Sequence, residues 1–262
     1  MNEPRWRGSS SNIYEFEPGK VLKVPREVPL TNDGHDVLNR DRAKGFEVER
    51  GIYEALGKNK LILPFYGCRE FEGRQGLLLA QADSNLQENL EDGLATVTMD
   101  ERKRWCCEAV DVIAYIHNRG VVHSDLRPEN FLVHGRDIWL SDFNGSVCKE
   151  RDLDGEQLPD AGFWNLKFET TPATDIFALG SVLYAIVTGW WPFCKPGVTD
   201  RLNRKNVQYD EQVTERFERG HFPDVSSLWG GDIIMGCWTD KYKSAADVKR
   251  DMDLAMLSMR VD

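Results

Sequence analysis

The chain has 262 residues, of which 41% are apolar and 10% aromatic, enough to bury a sizeable core and too many for a disordered protein. Its 43 acidic residues against 33 basic ones give a formal net charge of −10. That charge argues against nucleic acid as a nonspecific partner, because a polyanion needs a basic face. The six cysteines form no C-x-x-C pair, so we expect free thiols in a reducing compartment.

The sequence predicts no signal peptide and no membrane span. The first residues lack the apolar core of a signal peptide. The most apolar stretch, residues 177–193, contains two glycines and falls short of the ~20 residues that a membrane span needs. We therefore expect a cytoplasmic protein without a membrane anchor, with a buried helix in this stretch.

The first eighty residues predict a small, mostly antiparallel sheet with one helix. Apolar runs at 13–16 and 21–24 flank residues 17–20 (Glu-Pro-Gly-Lys), a turn signal that indicates a hairpin. A polar loop is expected over 26–45. Helical apolar spacing then predicts a helix over 46–56, and two further strands are expected at 61–66 and 76–80.

Helices are expected to dominate from residue 83 onwards. Residues 100–118 are amphipathic, with acidic residues at the start and a glycine just after the end. Short strands are expected at 131–133 and 138–140, followed by a loop at 145–165. The coarse prediction is one α+β unit with two lobes, about 1–82 and 83–262.

Polar groups suited to phosphate chemistry concentrate in two loops. Residues 121–133 read Val-Val-His-Ser-Asp-Leu-Arg-Pro-Glu-Asn-Phe-Leu-Val, and residues 141–145 read Ser-Asp-Phe-Asn-Gly. Asp125 can accept the proton of a hydroxyl, while Asn130 and Asp142 offer oxygen ligands to magnesium. An acid of the first kind and oxygens of the second are what phosphoryl transfer requires.

These two loops resemble those of the eukaryotic protein kinase family. Residues 123–130 resemble the catalytic loop H-R-D-x-K-P-E-N, and residues 142–144 resemble the D-F-G magnesium motif. Residues 20–23 are similar to the V-A-I-K strand, residues 174–193 to the buried helix written D-x-W-S-L-G…T-G…P-F, and residues 237–238 to the C-W pair. The order and spacing of these pieces extend the resemblance over roughly residues 6–255.

The resemblance implies a bilobal protein-kinase-like fold in a single domain, 1–262, with ATP and Mg²⁺ as cofactors. It implies that Asp125 is the catalytic base, that Arg127 lies near the transferred phosphate, and that Lys23 contacts the α and β phosphates with Glu49 as its ion-pair partner. Magnesium would be held by Asn130 and Asp142. The nucleotide would be bound by Gly8, Ser11 and Ile13 in the phosphate loop and by Val21 and Leu132 around adenine. The rings of Tyr53, His123 and Phe143 would stack in a spine between the lobes.

The sequence also departs from the family pattern. The phosphate loop is rich in serine, with Gly8 at the middle glycine position and Ser11 at the third, and Ser124 replaces the arginine that clamps a phosphorylated activation loop. From 144 to 169 the only hydroxyl side chain is Ser146. Asn144 replaces the glycine of D-F-G and is expected to keep the turn by adopting left-handed backbone angles.

The A-P-E motif is missing as well. The usual spacing puts Ala-Gly-Phe, residues 161–163, where kinases have A-P-E. Glu169 and Lys243 are then the nearest candidates for the family's ion pair in that region.

Two function classes remain open. The first is a monomeric ATP-dependent protein kinase that acts on serine or threonine of a protein substrate and does not depend on activation-loop phosphorylation. The second is a pseudokinase that binds nucleotide or a regulatory partner protein as a scaffold. Phosphorylation of a small molecule is a further alternative, because kinase-like folds also serve small alcohols.

Overall fold

The structure, a computed structural model, describes residues 3–29, 33–92, 97–194 and 204–258. Its helices are α1 (Asp33–Leu56), α2 (Leu86–Asp92), α3 (Met99–His117), α4 (Pro172–Thr188), α5 (Arg204–Glu218), α6 (Gly231–Trp238) and α7 (Ala245–Ser258). Its strands are β1 (Trp6–Arg7), β2 (Ser11–Glu17), β3 (Lys20–Pro25), β4 (Phe65–Phe71), β5 (Arg74–Ala80), β6 (Ser84–Asn85), β7 (Val121–Val122), β8 (Phe131–His134), β9 (Asp137–Leu140), β10 (Val147–Cys148) and β11 (Leu153–Asp154).

The N-terminal sheet is antiparallel, with strand order β1-β2-β3-β5-β4. The predicted hairpin is confirmed: β2 and β3 pair with Tyr14 opposite Leu22, and Gly19 turns the chain with a φ of 75°. Glycine suits this turn because it adopts positive φ at no steric cost. The pairing leaves Leu22 and Val24 fully buried on one face of the sheet.

Helix α1 is much longer than the sequence pattern predicts. It begins at Asp33, so the prediction of a polar loop is wrong for residues 33–45, whereas residues 30–32 lie outside the described part of the chain. Most of this added stretch faces solvent and so carries no apolar period to detect. An ion pair one turn apart, Asp36 with Arg40 at 2.9 Å, supports the helix there.

The strand predicted at 61–66 starts later, at Phe65. Residues 61–63 are buried but run beside β9 instead: Leu63 N–H donates to the carbonyl of Leu140, and Leu140 N–H donates to that of Leu61. The apolar character of residues 61–63 therefore reflects their burial, and these residues are not part of the five-stranded sheet. These bonds also tie the segment before β4 to the strand pair β8–β9.

Helices α3 and α4 form the centre of the helical part. Helix α3 begins after Thr98, whose side chain forms a reciprocal capping box with Glu101. Helix α4 is the predicted buried helix, shifted to begin at Pro172 and to end at Thr188, where Gly189 caps it with a φ of 84°. Gly180 lets α6 approach closely, because a Cβ there would lie 2.7 Å from the Cβ of Cys237. One apolar cluster extends from the sheet through these helices.

Two further observations bear on the early expectations. All six cysteines are free thiols, as expected. Among the described residues, no helix is both long and apolar enough to cross a membrane.

Candidate active site

One buried carboxylate of α4 fixes the loop between β7 and β8. Asp175, near the start of α4, accepts the backbone N–H groups of His123 and Ser124 at 2.7 and 2.9 Å. His117 Nε2 lies 2.9 Å from the same carboxylate. Because each oxygen of Asp175 has a defined partner, the loop is held in one position relative to α4.

Asp125 is presented by this loop in an almost fully buried position, with 3% of its surface exposed. Asn130 Nδ2 donates to the Asp125 carbonyl at 2.7 Å and to its Oδ2 at 3.2 Å. Arg127 Nε lies 3.5 Å from the same Oδ2. Burial raises the pKa of Asp125 to about 7. A carboxylate of this kind can accept a proton near neutral pH.

Lys23 joins three elements of the structure. Its Nζ lies 2.7 Å from Glu49 Oε2 on α1 and 2.6 Å from Asp142 Oδ1, which follows β9. Burial opposes the charge of Lys23, yet the two carboxylates raise its pKa above the ordinary value. Burial also opposes ionisation of Asp142, but the Lys23 ammonium holds the pKa of that carboxyl below its ordinary value. The expected ion pair of Lys23 with Glu49 is thus present in the geometry.

The donor set of Asn130 and Asp142 fits a magnesium ion. The amide nitrogen of Asn130 is bonded to Asp125, which leaves its carbonyl oxygen for a ligand. The Lys23 ammonium lowers the pKa of Asp142 and so favours its carboxylate form, and 32% of the Asp142 side chain is exposed. Magnesium usually takes one or two protein oxygens and completes its shell with water and phosphate oxygens. No group of three or more His, Cys, Asp or Glu side chains suited to a metal occurs in the described ranges, and none is needed for such a site.

Two buried hydroxyls link the Asp125 loop to the segment after Asp142. Ser124 Oγ donates to the Gly145 carbonyl at 2.5 Å, and Ser146 Oγ donates to the His123 carbonyl at 3.0 Å. Ser124 has a φ of 64°, a conformation uncommon for residues other than glycine. The two loops that carry the acids therefore stand in a fixed mutual position.

Three rings join α1 to these loops. The Phe143 ring lies 5.1 Å from that of Tyr53, at nearly a right angle, and 5.1 Å from that of His123. His123 accepts the N–H of Asp125 at Nδ1, and its Nε2 lies 3.0 Å from the Ser141 carbonyl, an arrangement that fits the neutral ring. Burial lowers the pKa of His123, which agrees with that state. The expected spine of three rings is present.

Comparison with known proteins decides the family. A family model described as Protein kinase domain matches residues 37–245, most of the chain. The chain belongs to the protein kinase family. Its α+β architecture, with an N-terminal sheet and a mainly helical remainder, is the bilobal kinase fold.

Curated kinases resemble this one at low identity. Serine/threonine-protein kinase pim-2 of Danio rerio is 28% identical over 186 residues, 67% of this chain and 55% of the relative. Serine/threonine-protein kinase ISR1 of Eremothecium gossypii is 27% identical over 228 residues, 72% of this chain and 60% of the relative. Serine/threonine-protein kinase kin-29 of Caenorhabditis briggsae is 33% identical over 122 residues, 41% of this chain and 14% of the relative. This kinase thus spans at most 60% of the length of these three proteins.

The residues predicted to bind the nucleotide lie on the strands and on the turn before β2. Ile13 on β2 is half-buried and pairs with Lys23 on β3, where Val21 is buried. Leu132 is half-buried on β8. Gly8 N–H donates to the Ser11 carbonyl at 2.8 Å, which closes a tight turn. We call this turn, residues 8–11, the serine turn.

The backbone of the magnesium motif differs from the expectation. The left-handed residue is Asp142, with φ 63° and ψ 64°, and not Asn144. Residues 143–145 form a short 3-10 turn instead. The tight turn is therefore kept without left-handed angles at the position where other kinases have glycine.

The activation segment, residues 144–169, is docked on α1 by several contacts. Lys44 Nζ lies 2.7 Å from Glu156 Oε1. Leu153 packs against Gly51 of α1, where a Cβ would come within 2.7 Å of it. A Cβ on Gly155 would lie 2.3 Å from the Asn144 carbonyl oxygen, so the two backbones touch.

Among the residues that the structure describes, the end of the activation segment forms no ion pair of the A-P-E type. Phe163, at the position of the glutamate, is fully buried and meets the Trp191 ring edge-on at 5.1 Å. Glu169 is exposed, and Lys243 Nζ donates to the carbonyl of Asp240 at 3.5 Å. An aromatic contact thus occupies the place of the charge, and neither candidate of the sequence analysis replaces the pair.

Asp160 belongs to the site but is not among the site residues predicted from the sequence. Asp160, in the activation segment, pairs with Arg127 Nη1 at 2.5 Å. Burial opposes the charge of Arg127, but Asp125 and Asp160 raise its pKa above the ordinary value. The acidic character of the segment was visible in the sequence, but the acid that reaches Arg127 is selected by the path of the chain.

Proposed function

We propose that this kinase transfers the γ-phosphate of ATP to serine and threonine hydroxyls of a protein substrate. The observation that carries the proposal is the position of Lys23 between the carboxylates of Glu49 and Asp142. A lysine fixed in this way offers its ammonium to polyphosphate, and it connects α1 to the magnesium motif. One domain of two lobes meeting near residue 82 would place the nucleotide between them.

Each remaining site residue has a role in this reaction. Asp125 would accept the proton of the substrate hydroxyl through its Oδ1, because Asn130 and Arg127 engage its Oδ2. Asn130 and Asp142 would hold Mg²⁺, which supplies charge neutralisation at the phosphates. The adenine would lie between Val21 and Leu132, and the phosphates beside a loop built by Gly8, Ser11 and Ile13.

The same contacts support transfer without activation-loop phosphorylation. The bonds of Ser124 and Ser146 fix the two acidic loops, while Lys44 and Leu153 anchor the activation segment to α1. Phosphorylation orders a loop by adding a charge for arginine to bind. Here protein groups already supply the corresponding contacts, and no arginine stands before Asp125 to receive a phosphate.

Phosphotransfer from labelled ATP to a mixture of serine and threonine peptides tests the proposal. We expect transfer with Mg²⁺ and at least a hundredfold less with Asp125→Asn, which keeps the shape of the side chain but cannot accept the proton. Separately, ATP with Mg²⁺ should raise the melting temperature of the wild type, because a ligand bound only by the folded state stabilises it. Wild-type transfer no greater than that of Asp125→Asn would overturn the proposal.

A second candidate is a pseudokinase scaffold that binds nucleotide or a regulatory protein. The observation that favours it is the state of Arg127, whose charge is already shared by Asp125 and Asp160. An arginine neutralised in this way has less charge to offer the transferred phosphate. A clear thermal shift with ATP and Mg²⁺ in the absence of any transfer would select this candidate.

A further inference from the structure

Two departures from the kinase sequence pattern meet in the structure. The serine turn keeps Gly8 at the middle glycine position of the phosphate loop but has Ser11 at the third, with Ser10 between them, and Asn144 replaces the glycine of D-F-G. Asn144 Nδ2 donates a 3.2 Å hydrogen bond to Ser10 Oγ across 134 positions of sequence. The glycine that kinases of the D-F-G type have at position 144 has no side chain and could not form this bond.

The backbone of Asn144 is held firmly. Gly45 of α1 lies on one side, where an added Cβ would be 3.4 Å from the Asn144 Cβ. Gly155 of the activation segment lies on the other side, where an added Cβ would be 2.3 Å from the Asn144 carbonyl oxygen. Because both neighbours approach with backbone atoms, the backbone of Asn144 has little room to move, and its side-chain amide extends from a fixed position.

The serine turn, by contrast, is held by polar contacts. Arg42 Nη2 of α1 donates to the Ser9 carbonyl at 2.7 Å, and the same guanidinium donates to the Arg26 carbonyl at 3.1 Å. Next to the turn lies a cavity of about 370 Å³ lined by its three serines, by α1 and by the activation segment. The Ser10 carbonyl also accepts the Arg26 N–H at 2.8 Å. Since open space rather than packed apolar side chains adjoins the turn on this side, a small set of hydrogen bonds determines where it stands.

We propose that Ser10 and Asn144 form a latch that holds the serine turn against the magnesium motif and slows nucleotide release. This rests on the proposed ATP site, in which the serine turn covers the phosphates. The turn has to move away for a bound nucleotide to leave, and that movement breaks the bond between Ser10 and Asn144. One ordinary hydrogen bond changes such an opening equilibrium by about fivefold. Ser10 and Asn144 are therefore positioning residues and take no part in bond chemistry.

Amide hydrogen exchange without nucleotide tests the latch itself. We expect the amides of residues 8–12 to exchange about fivefold faster than in the wild type in both Ser10→Ala and Asn144→Ala. The double variant should exchange no faster than either single variant, because both substitutions remove the same bond. Ser10→Thr keeps the hydroxyl and should restore slow exchange. Ser9→Ala is the matched control, because it removes a hydroxyl from the same turn without touching Asn144. Wild-type exchange rates in both single variants would overturn the latch.

Release of a fluorescent ADP analogue with Mg²⁺, chased by excess ADP in a stopped-flow instrument, tests the consequence for the nucleotide. Both single variants and the double variant should release it about fivefold faster than the wild type, with urea unfolding unchanged. Binding with unchanged release rates would overturn the role of the latch in nucleotide release while leaving the proposed ATP site intact. Absence of any binding by the wild type would overturn that role and the proposed ATP site together.

Discussion

The Ser124 hydroxyl donates a 2.5 Å hydrogen bond to the carbonyl oxygen of Gly145, 21 residues further along the chain. Both residues are buried, and Ser146 returns a bond to the carbonyl of His123. In kinases of the H-R-D type an arginine occupies the position of Ser124 and receives a phosphorylated activation loop. Here the hydrogen bond from Ser124 to Gly145 joins the two loops directly, in place of a contact that requires phosphorylation.

Loss of this bond should weaken both the fold and the site. In Ser124→Ala the buried Gly145 carbonyl loses its partner, and we expect the free energy of unfolding to fall by about 2 kcal/mol. Ser124→Gly also loses the hydroxyl but relieves the positive φ, so it should be the more stable variant in urea unfolding. Phosphotransfer should drop about tenfold in both. Full activity in Ser124→Gly would contradict a role for the hydroxyl.

Arg127 should stabilise the protein chiefly by neutralising Asp125 and Asp160. Arg127→Ala removes the cation that faces both carboxylates, and we expect about 2 kcal/mol less stability in urea unfolding, because Asp125 is buried. Adding Asp160→Ala should restore about 1 kcal/mol of that loss. Arg40→Ala, which removes an exposed helix pair, is the control and should change stability by less than about 0.5 kcal/mol. Additive effects of the Arg127 and Asp160 substitutions would show that the two side chains act independently.

Gly155 should be required for docking of the activation segment. A methyl group there would meet the Asn144 carbonyl oxygen at 2.3 Å, a backbone atom that cannot turn aside. We expect Gly155→Ala to cost about 1–3 kcal/mol of stability and to make residues 146–169 more sensitive to limited proteolysis. Gly45→Ala faces the same Asn144 at an ordinary 3.4 Å on a helix, so it should be neutral or slightly stabilising. Equal protease resistance of the two variants would contradict this account of docking.

Glu108 should make the free energy of unfolding fall as the pH rises from about 4.5 to 8. Burial raises the pKa of Glu108 to about 7, although it accepts the Ile138 N–H. The folded state thus prefers the protonated acid, and this contribution to stability is complete below pH ~4.5 and lost as pH rises through 7. Glu108→Gln should therefore be more stable than the wild type at pH 8 by about 1 kcal/mol, a figure reduced for partial exposure, and equal to it at pH 4.5.

Glu101 should have the opposite effect on the pH dependence of stability, which urea unfolding also measures. Hydrogen bonds from the N–H and hydroxyl of Thr98 lower the pKa of Glu101. Its contribution to stability is present above the unfolded pKa and is lost as pH falls through the lower, folded value. Glu101→Gln should therefore destabilise the protein at pH 8, whereas Glu108→Gln stabilises it. The same sign for both variants in urea unfolding would rule out this explanation.

Local patterns in the sequence predicted a good part of this protein. The hairpin follows from the turn residues at 17–20, and α3 ends within one residue of its predicted bounds because its caps are local. The order of the catalytic and magnesium motifs indicated the family. The pairing of Lys23 with Glu49, which the resemblance to kinases implied, is present.

Other features could not be found in that way. The first half of α1 carries no apolar stripe, and the apolar run at 61–63 gives burial without a strand. The sequence alone determined the family, the hairpin, the main helices and the set of polar residues around Asp125 and Asp142. Only the tertiary structure decided that Ser124 meets Gly145, that Arg127 meets Asp160 and that Ser10 meets Asn144. Each of these pairs joins residues 21 to 134 positions apart, and packing of α1 and the activation segment selects the partner, which no local pattern encodes.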